Sequence, residues 1–408
     1  MAQLRDKHIV LGVTGCIAAY KAAELVRQIV KEGGRVYPIM TAAAQQFITP
    51  LTLQTLSGNP VATDLFVLQQ ESRIGHISLA QRADLLVVAP ATANCIGKVA
   101  AGIADDLLTT VVLATRSPVL FAPAMNQGMW ENPVLQRNLA TLRELGYHII
   151  EPGWGDLACG EQGKGRLADI EDIMDTIITL LSPHDFEGVS ALVTAGPTRE
   201  HMDPVRFISN PSTGKMGFAI ARCLKRRGAR VTLVSGPSDL RPPAGVTVIP
   251  VRTAQEMAAA VERHFETAHL IIKSAAVSDY RPKVVATDKM KKKNGLKVVE
   301  FETTTDILAG LGARKGNRIL VGFAAETADL LENAREKLRS KNLDMIVVND
   351  VGRRDIGFGS DINKVTIIMA DGTCIDVPAL PKDEVAGVIL DHVAYIMHKR
   401  TAIPDEPA

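Results

Sequence analysis

The segment His8-Ile-Val-Leu-Gly-Val-Thr-Gly-Cys-Ile-Ala-Ala-Tyr20 joins an apolar run to a glycine-containing turn and the start of an amphipathic stretch. A second segment, Ser190-Ala-Leu-Val-Thr-Ala-Gly-Pro-Thr-Arg199, repeats this run and turn later in the chain. Each is followed by alternating apolar strands and amphipathic helices, which is the pattern of a parallel sheet covered by helices. The sequence therefore predicts an α/β protein with two Rossmann-like parallel-sheet domains.

The chain has 408 residues, which is enough for two ordinary domains. We predict domains over residues 1–183 and 188–408, because Ser182-Pro-His-Asp-Phe-Glu-Gly188 is the one short stretch typical of a linker. Strands are expected near 8–13, 35–40, 84–89, 118–122 and 147–151 in the first half. In the second half they are expected near 189–194, 230–235, 246–250, 269–273, 318–323 and 343–348, followed by an edge pair within 363–376.

Composition excludes several classes of protein. The formal net charge is +1, so nothing favours nucleic acid or an anionic membrane as a partner. The five cysteines are scattered without a CxxC pair, which argues against a zinc site and a disulfide framework and fits a reducing cytoplasm. No apolar run reaches the roughly 18 residues that a membrane span needs, so no span is predicted.

Two loops of the first half suggest a ligand site. In Gly12-Val-Thr-Gly15, free amides at the helix start and the Thr14 hydroxyl can hold a phosphate, although a tight turn that needs glycine is an equally good interpretation. The spacing is not GxGxxG, which favours a mononucleotide over NAD. Pro90-Ala-Thr-Ala-Asn94 also follows a strand, where open α/β sheets bind ligands.

Three further features carry reactive groups. Asn126, in Pro123-Ala-Met-Asn-Gln-Gly-Met-Trp130, can offer amide hydrogens to a carboxylate. The stretch Ala158-Cys-Gly-Glu-Gln-Gly-Lys-Gly-Arg166 surrounds Cys159 with glycines, as in a mobile flap that presents a thiol, whereas a structural cysteine normally lies in an apolar strand or helix. His76 precedes a helix-like segment, and a lone histidine is more often structural than catalytic.

Together these segments resemble the flavin-containing cysteine decarboxylases, most closely the decarboxylase half of the bifunctional enzymes of coenzyme A biosynthesis. The resemblance implies a flavodoxin-like fold for the first domain and conversion of 4'-phosphopantothenoylcysteine to 4'-phosphopantetheine with FMN. Oxidation of the substrate thiol to a thioaldehyde would provide the electron sink that loss of the carboxylate requires. The implied roles are proton donation by Cys159, carboxylate recognition by Asn126, and orientation or base catalysis by His76. The implied FMN contacts are Thr14, Gly15, Thr41, Pro90, Ala91 and Thr92.

The second half contains a different set of motifs. In Ile208-Ser-Asn-Pro-Ser-Thr-Gly-Lys-Met-Gly217 the Ser-Thr-Gly turn leads into a helix, where phosphate binding is reasonable. Met216 stands where a P-loop has serine or threonine, and the upstream glycine is absent, so a P-loop ATPase is excluded. Lys289 opens the basic run Lys289-Met-Lys-Lys-Lys293 and offers a compact cation to a triphosphate, whereas Lys292 and Lys293 are expected to be solvated.

This half, over about residues 189–400, resembles phosphopantothenate–cysteine ligase, the other half of the same bifunctional enzymes. The resemblance implies that the carboxylate of 4'-phosphopantothenate attacks CTP to give an acyl-cytidylate and pyrophosphate, and that the amine of cysteine displaces CMP. Asn210 would stabilise the acyl-cytidylate and Lys289 would assist its formation. Mg²⁺ is expected on the triphosphate through phosphates and water. The implied CTP contacts are Lys273, Ser274, Ala275, Asp279, Lys289, Thr305, Asp306, Ile307, Leu308, Phe323, Lys337 and Lys341.

Some details of this second site are less secure. Lys337 and Lys341 are spaced i, i+4, so both can face the phosphates, although a solvated helix face has the same spacing. Ser278 stands where the family has alanine, and Gly295 soon follows the lysine run, which puts individual contacts near both positions in doubt.

The expected partners are the small-molecule substrates, 4'-phosphopantothenate, cysteine and CTP, with neither nucleic acid nor membrane. The resemblance also implies a homo-oligomer, in which first-half trimers are joined by second-half pairs into a dodecamer. One alternative is a flavin-binding regulatory protein of the same fold. A second is a flavin prenyltransferase-like enzyme, which would need neither the cysteine flap nor a ligase half. The presence of His76, Asn126 and Cys159 together favours the decarboxylase.

Overall fold

The computed structural model describes residues 3–66, 75–158, 160–291, 298–326, 330–350 and 359–401. Contacts divide the chain into two compact units, Met1–Ser182 and Pro183–Ala408. Each unit is built on a parallel or mostly parallel sheet with helices on both faces, so the predicted fold class is confirmed.

The first unit is built on a five-stranded sheet in which all neighbouring strands are parallel, in the order β2-β1-β3-β4-β5. Its central strands are buried along nearly their whole length, which explains why their sequences are continuous apolar runs rather than alternating ones. The strands are β1 (His8–Val13), β2 (Arg35–Met40), β3 (Leu85–Ala91), β4 (Val119–Pro123) and β5 (His148–Ile149).

Helices cover both faces of this sheet, one face carrying α1, α2 and α8 and the other α3, α4, α5 and α7. Short 3₁₀ turns at Ile17–Tyr20 and Ala44–Gln46 precede α1 and α2. The helices are α1 (Lys21–Lys31), α2 (Pro50–Ser57), α3 (Gly75–Arg82), α4 (Ala93–Ala100), α5 (Leu107–Ala114), α6 (Gln127–Trp130), α7 (Pro133–Glu144) and α8 (Ile170–Leu181).

Glycine-rich residues after β5 form an antiparallel hairpin of β6 (Gly153–Asp156) and β7 (Gln162–Arg166), which the sequence predicted only as a flap. Helix α2 was not predicted, and α3 was indicated only as the helix-like segment that follows His76. Each is only eight residues long, which leaves little helical period in the sequence.

The second unit is built on an eight-stranded sheet in the order β12-β11-β8-β13-β16-β17-β18-β19. The first six strands are parallel and the last two form the predicted edge pair, which is antiparallel. The strands of this sheet are β8 (Ser190–Ala195), β11 (Arg230–Ser235), β12 (Thr247–Pro250), β13 (Leu270–Lys273), β16 (Ile319–Glu326), β17 (Met345–Asp350), β18 (Ile362–Met369) and β19 (Cys374–Pro381).

Two small antiparallel ladders lie outside this sheet: β9 (Arg199–His201) with β10 (Phe207–Ser209), and β14 (Tyr280–Pro282) with β15 (Phe301–Thr303). Helices α9 and α13 pack on one face of the sheet, and α10, α11 and α12 on the other. The helices are α9 (Lys215–Arg226), α10 (Ala254–Phe265), α11 (Ile307–Ala313), α12 (Leu330–Ser340) and α13 (Lys382–Thr401).

The stretch predicted as a linker belongs to the second unit. Phe186 is fully buried in the core around α9 and α13. The Arg227 guanidinium lies 4.9 Å from the centre of the Phe186 ring, and its Nε donates to Asp185 Oδ1 at 2.8 Å. Residues 183–188 are therefore packed chain, and a fragment that starts at residue 188 would lack part of its own core.

None of the helices in the described residues is both long and apolar enough to span a membrane.

Candidate active sites

Thr14 follows β1, and its buried hydroxyl joins two loops of the first unit. The hydroxyl donates to the Pro90 carbonyl at 2.7 Å and accepts from the Thr92 amide at 3.0 Å. Both partners of the hydroxyl are in the protein, and the Thr14 amide also donates to the Pro90 carbonyl, at 3.3 Å. An anion contact at this turn would therefore have to come mainly from the backbone amides that follow Thr14.

Gly15 allows the loop after β2 to approach the loop after β1. A Cβ at Gly15 would lie 2.4 Å from the Cβ of Ala43, so no other residue fits there without a shift. The Thr41 amide donates to the Val13 carbonyl at 3.1 Å, and the Ala124 amide donates to the Ala91 carbonyl at 3.1 Å. The loops after β1, β2, β3 and β4 therefore meet at one edge of the sheet.

This edge fits a flavin mononucleotide. It combines close-packed backbone loops, which can meet a phosphate, with exposed apolar side chains nearby at Ile17, Tyr20 and Phe47, which can meet an aromatic ring system. The edge also includes the point between β1 and β3 where the strand order reverses, the usual ligand position in open α/β sheets.

Asn126 begins α6 and is oriented by two hydrogen bonds. Its Oδ1 accepts from the Gly128 amide at 2.7 Å, and its Nδ2 donates to Glu161 Oε2 at 3.4 Å. Glu161 lies in the turn of the β6–β7 hairpin, so the structure brings that turn to Asn126. Cys159 lies outside the described residues, but its neighbours Ala158 and Gly160 belong to the same turn.

The glycines of the hairpin allow it to dock against the Asn126 loop. Gly165 has φ 151°, and a Cβ there would lie 2.2 Å from the Met125 carbonyl oxygen. The Met125 amide donates to the Gly165 carbonyl at 2.9 Å. Close approach of two backbones therefore explains the glycine at this position, which the sequence interpretation attributed to mobility.

His76 is the second residue of α3, inside the helix rather than before it. Only two residues separate α3 from β3, so the N-terminal end of α3 points toward the edge where the loops meet. Within the part of the chain that the structure describes, the imidazole makes no hydrogen bond or ion pair, and no recorded contact joins it to Asn126. The structure thus groups Asn126 with the hairpin but leaves His76 separate.

The second unit contains a cleft of about 640 Å³, beside the point where the strand order reverses between β8 and β13. Every residue predicted for the ligase site lines it except Lys289: Asn210, Lys273, Ser274, Ala275, Asp279, Thr305, Asp306, Ile307, Leu308, Phe323, Lys337 and Lys341. These residues come from five separate stretches of the chain, so the fold brings this set together.

Asn210 holds the loop that follows β13. Its Nδ2 donates to the carbonyls of Ala276 and Val277 at 3.1 and 3.3 Å. Both amide hydrogens are therefore directed at carbonyl oxygens, and Oδ1 is the polar atom that remains for a ligand. Thr194 reinforces the loop, since its carbonyl accepts from Ser274 Oγ at 2.7 Å.

The cleft is positively charged, since five lysines and two aspartates line it. Burial lowers the pKa of Lys273 to about 8, and the nearby charge of Lys341 acts in the same direction. Lys341 pairs with Asp306 at 2.8 Å; although burial opposes it, this pairing and the amide of Ala309 lower the pKa of Asp306. The excess of cations favours a polyanionic ligand.

Two of these lysines and a buried amide were missed by the sequence analysis as site residues. Lys215, at the start of α9, contacts Asp361 Oδ1 at 2.6 Å and the Gly359 carbonyl at 2.8 Å. Lys382 and Asn363 line the cleft close to it and are almost fully buried. Lys215 belongs to the Ile208–Gly217 motif, so the sequence could have identified it as a site residue. No local signal marks Lys382 or Asn363.

Lys289 is exposed on the loop after β14 and does not line the cleft. The next residue is anchored, since the Met290 amide donates to Asp203 Oδ2 at 3.1 Å. Ser278, which departs from the family pattern, is buried and its amide donates to Thr198 Oγ1 at 3.0 Å. Gly295, Lys292 and Lys293 lie outside the described residues.

These two sites define the class of protein: a two-part α/β enzyme with a mononucleotide-type edge in one unit and a polyanion cleft in the other. Residues 1–182 match the family model "Flavoprotein", and residues 186–397 match "DNA/pantothenate metabolism flavoprotein C-terminal domain".

Curated relatives match over nearly the whole chain. The coenzyme A biosynthesis bifunctional protein CoaBC of Bacillus subtilis (strain 168) is 48% identical over 401 residues, 96% of this chain and 98% of that protein. The protein of the same name from Escherichia coli (strain K12) is 46% identical over 395 residues, 96% and 97% of the two chains. A crystal structure of the C-terminal domain of such a protein is 45% identical, with a TM-score of 0.46, and covers 53% of this chain and 99% of that one.

The chain therefore belongs to the family of bifunctional coenzyme A biosynthesis proteins. It is an enzyme with a decarboxylase half and a ligase half, and the first half is a flavoprotein domain. The family resemblance stated from the motifs is confirmed.

Proposed function

We propose that residues 183–408 join 4'-phosphopantothenate to cysteine with CTP, and that residues 1–182 decarboxylate the product, 4'-phosphopantothenoylcysteine, to 4'-phosphopantetheine. The observation that carries the ligase assignment is the lysine-rich cleft, which gathers all of the predicted ligase residues but Lys289. A triphosphate is the kind of ligand that such a cluster of cations favours.

In the ligase half, the lysines of the cleft bind the triphosphate and neutralise charge as pyrophosphate leaves. The carboxylate of 4'-phosphopantothenate attacks the α-phosphate, and the resulting acyl-cytidylate is opened by the amine of cysteine. Asn210 supports these steps by shaping the loop at Ala276 and Val277. Its free Oδ1 can accept a hydrogen bond from the incoming amine, a contact additional to the predicted stabilisation of the acyl-cytidylate.

We propose that Lys289 assists formation of the acyl-cytidylate, although its loop lies outside the cleft lining. Magnesium is proposed as the counterion of the triphosphate, held by phosphate oxygens and water. Among the described residues, no group of three or more histidine, cysteine, aspartate or glutamate side chains could itself hold a metal ion.

In the decarboxylase half, the proposed FMN contacts are the backbone of Thr14 and Gly15, with Thr41 and Pro90–Thr92 at the adjoining loops. FMN would supply reversible oxidation of the substrate thiol. Asn126 would bind the substrate carboxylate through Nδ2, whose contact with Glu161 uses only one of its two hydrogens. Cys159 would protonate the product, and His76 would orient the substrate or act as a base.

The assembly and location are also proposals. We propose a homo-oligomer, a dodecamer built from trimers of the first unit, that works in the cytoplasm on small molecules, without nucleic acid or membrane. Sedimentation of the active protein tests the assembly, and an active monomer would rule it out.

The proposed reactions are tested on the purified full chain. It should be yellow, and it should release pyrophosphate from CTP only when 4'-phosphopantothenate is present. Removing FMN should abolish CO₂ release and leave pyrophosphate release intact. Loss of both activities on flavin removal would contradict the assignment of one reaction to each unit.

The ligase residues are tested by detecting the acyl-cytidylate by mass spectrometry without cysteine. Lys289→Gln should form little of it. Asn210→Asp should form it but convert it poorly, because the new carboxylate would face the Ala276 and Val277 carbonyls without a hydrogen to donate. Identical behaviour of the two variants, with only cysteine binding affected, would show that the nucleotide site is misplaced.

A further inference from the structure

Asp203 lies in the turn between β9 and β10, and its side chain is completely buried. Its Oδ1 accepts from the backbone amides of Val205 and Arg206 at 2.8 and 2.7 Å, which closes the turn. The Arg206 guanidinium approaches Oδ2 at 3.7 Å. This part of the arrangement is a local turn in which an aspartate caps its own backbone.

The second oxygen makes a contact that the turn does not need. Oδ2 accepts from the Met290 amide at 3.1 Å, across 87 residues of sequence. The same loop is held a second time, since the Ala286 amide donates to the Met202 carbonyl at 3.0 Å. The exposed Lys289 is therefore flanked by two backbone anchors, both on the β9–β10 turn.

The β9–β10 hairpin also carries the other proposed ligase residue. Asn210 directly follows β10 and reaches the loop after β13 through Ala276. One short hairpin thus connects the loop of Lys289 at its turn to Asn210 at its end. A buried carboxylate bonded to three backbone amides is a rigid link, because each lost amide would leave a buried charge less well compensated.

We propose that Asp203 is a positioning residue for the ligase reaction, which sets the backbone of the Lys289 loop through the Met290 amide. This inference rests on the proposed role of Lys289 in forming the acyl-cytidylate. Asp203 does not line the cleft, and it acts through the loop.

Asp203→Asn separates the two functions of the carboxylate. The amide oxygen can still accept from Val205 and Arg206, so the turn can persist. The new NH₂ group then faces the Met290 N–H and cannot accept from it. In the full chain, we expect acyl-cytidylate formation to slow by roughly 10²-fold, the loss that a misplacement of about 1 Å can cause, with a smaller change in KM for CTP. Asp288→Asn, the same change at an exposed carboxylate of this loop, should have no effect.

The decisive measurement is a double-mutant cycle with Lys289→Gln. If Asp203 acts through Lys289, adding Asp203→Asn to Lys289→Gln should cost less than about a further twofold. Full activity of Asp203→Asn, or losses that multiply in the double variant, would overturn the inference. Full activity of Lys289→Gln alone would instead refute the proposed role of Lys289, and the inference would fail with it.

Two controls separate positioning from folding. The decarboxylase activity of the same chain should be unchanged in Asp203→Asn, and the Met290 amide should exchange with solvent faster. If Asp203→Asn does not fold, Asp203→Ser replaces it in the cycle. A serine hydroxyl can cap the turn weakly but is too short to reach Met290, and the same outcomes then decide the inference.

Discussion

Binding of CTP should weaken as the pH rises through 8, and Lys273 should be the reason. The side chain lines the cleft at the end of β13, and burial lowers its pKa to about 8. Asp306 and Asp279 favour the charged form, but burial and Lys341 outweigh them. The Lys273 ammonium that attracts phosphate is thus mostly present at pH 7 and is lost as the pH rises through about 8.

The expected change in CTP affinity follows from the pKa of Lys273. At pH 7 about nine tenths of Lys273 is charged, and at pH 9 about one tenth, because each pH unit changes the ratio tenfold. If only the ammonium form binds the triphosphate well, the apparent affinity for CTP falls roughly tenfold between pH 7 and pH 9.

Isothermal titration of the full chain with CTP at pH 7, 8 and 9 measures the effect. Buffers of different ionisation enthalpy should also reveal proton uptake on binding near pH 9, because bound phosphates stabilise the charged amine and raise its pKa. Lys273→Met should bind weakly at every pH. Lys273→Arg should bind with a flat profile, because a guanidinium stays charged throughout.

The same pH dependence in wild type and Lys273→Met would refute this reasoning. So would an affinity that rises with pH. Either result would mean that the Lys273 charge does not face the triphosphate.

Three other predictions concern packing and the hairpin. Phe186→Ala should destabilise the second unit by about 3–5 kcal/mol, since it empties a fully buried site. Unfolding of the full chain in urea, monitored by the loss of CTP binding, should then have its midpoint at a lower urea concentration. Gly165→Ala should undock the hairpin because its Cβ meets the Met125 carbonyl; a roughly 10²-fold slower decarboxylation with normal flavin absorbance and ligase activity is expected. Cys159→Ser should lower phosphopantetheine output by about 10²–10⁴-fold while CO₂ release continues, so mass spectrometry should find an oxidised ene-thiol. An unchanged urea midpoint would contradict the first prediction, an unchanged decarboxylation rate the second, and an unchanged phosphopantetheine output the third.

Much of this protein was readable from local sequence. Strands β1 and β8 are continuous apolar runs followed by glycine turns, and such runs form buried parallel strands in most contexts. The motifs around Asn126 and Asn210 identified the family because the chemistry requires particular residues at fixed spacing. The structure then placed the predicted CTP residues other than Lys289 around one cleft, as expected for loops that follow neighbouring parallel strands.

Other features depended on contacts between distant segments. The sequence marks Ser182–Gly188 as a linker by its composition, yet Phe186 is buried because Arg227 and α13 happen to meet there. From sequence, Gly165 indicates a mobile flap. The structure shows instead that its backbone packs closely against the Met125 carbonyl. Lys382 and Asn363 carry no local signal, since they join the cleft only through packing of the last strands and helix.

The difference between what the sequence determined and what the tertiary structure determined has a physical reason. Apolar periodicity and turn chemistry act over a few residues, so the amino-acid sequence by itself determined the two sheets, the order of most elements and the family motifs. Which hydroxyl is already bonded, which glycine faces a carbonyl and which lysine loses its charge near pH 8 depend on partners tens to hundreds of residues away. Only the tertiary structure decided these, because burial and hydrogen bonding are properties of the assembled neighbourhood rather than of the residue.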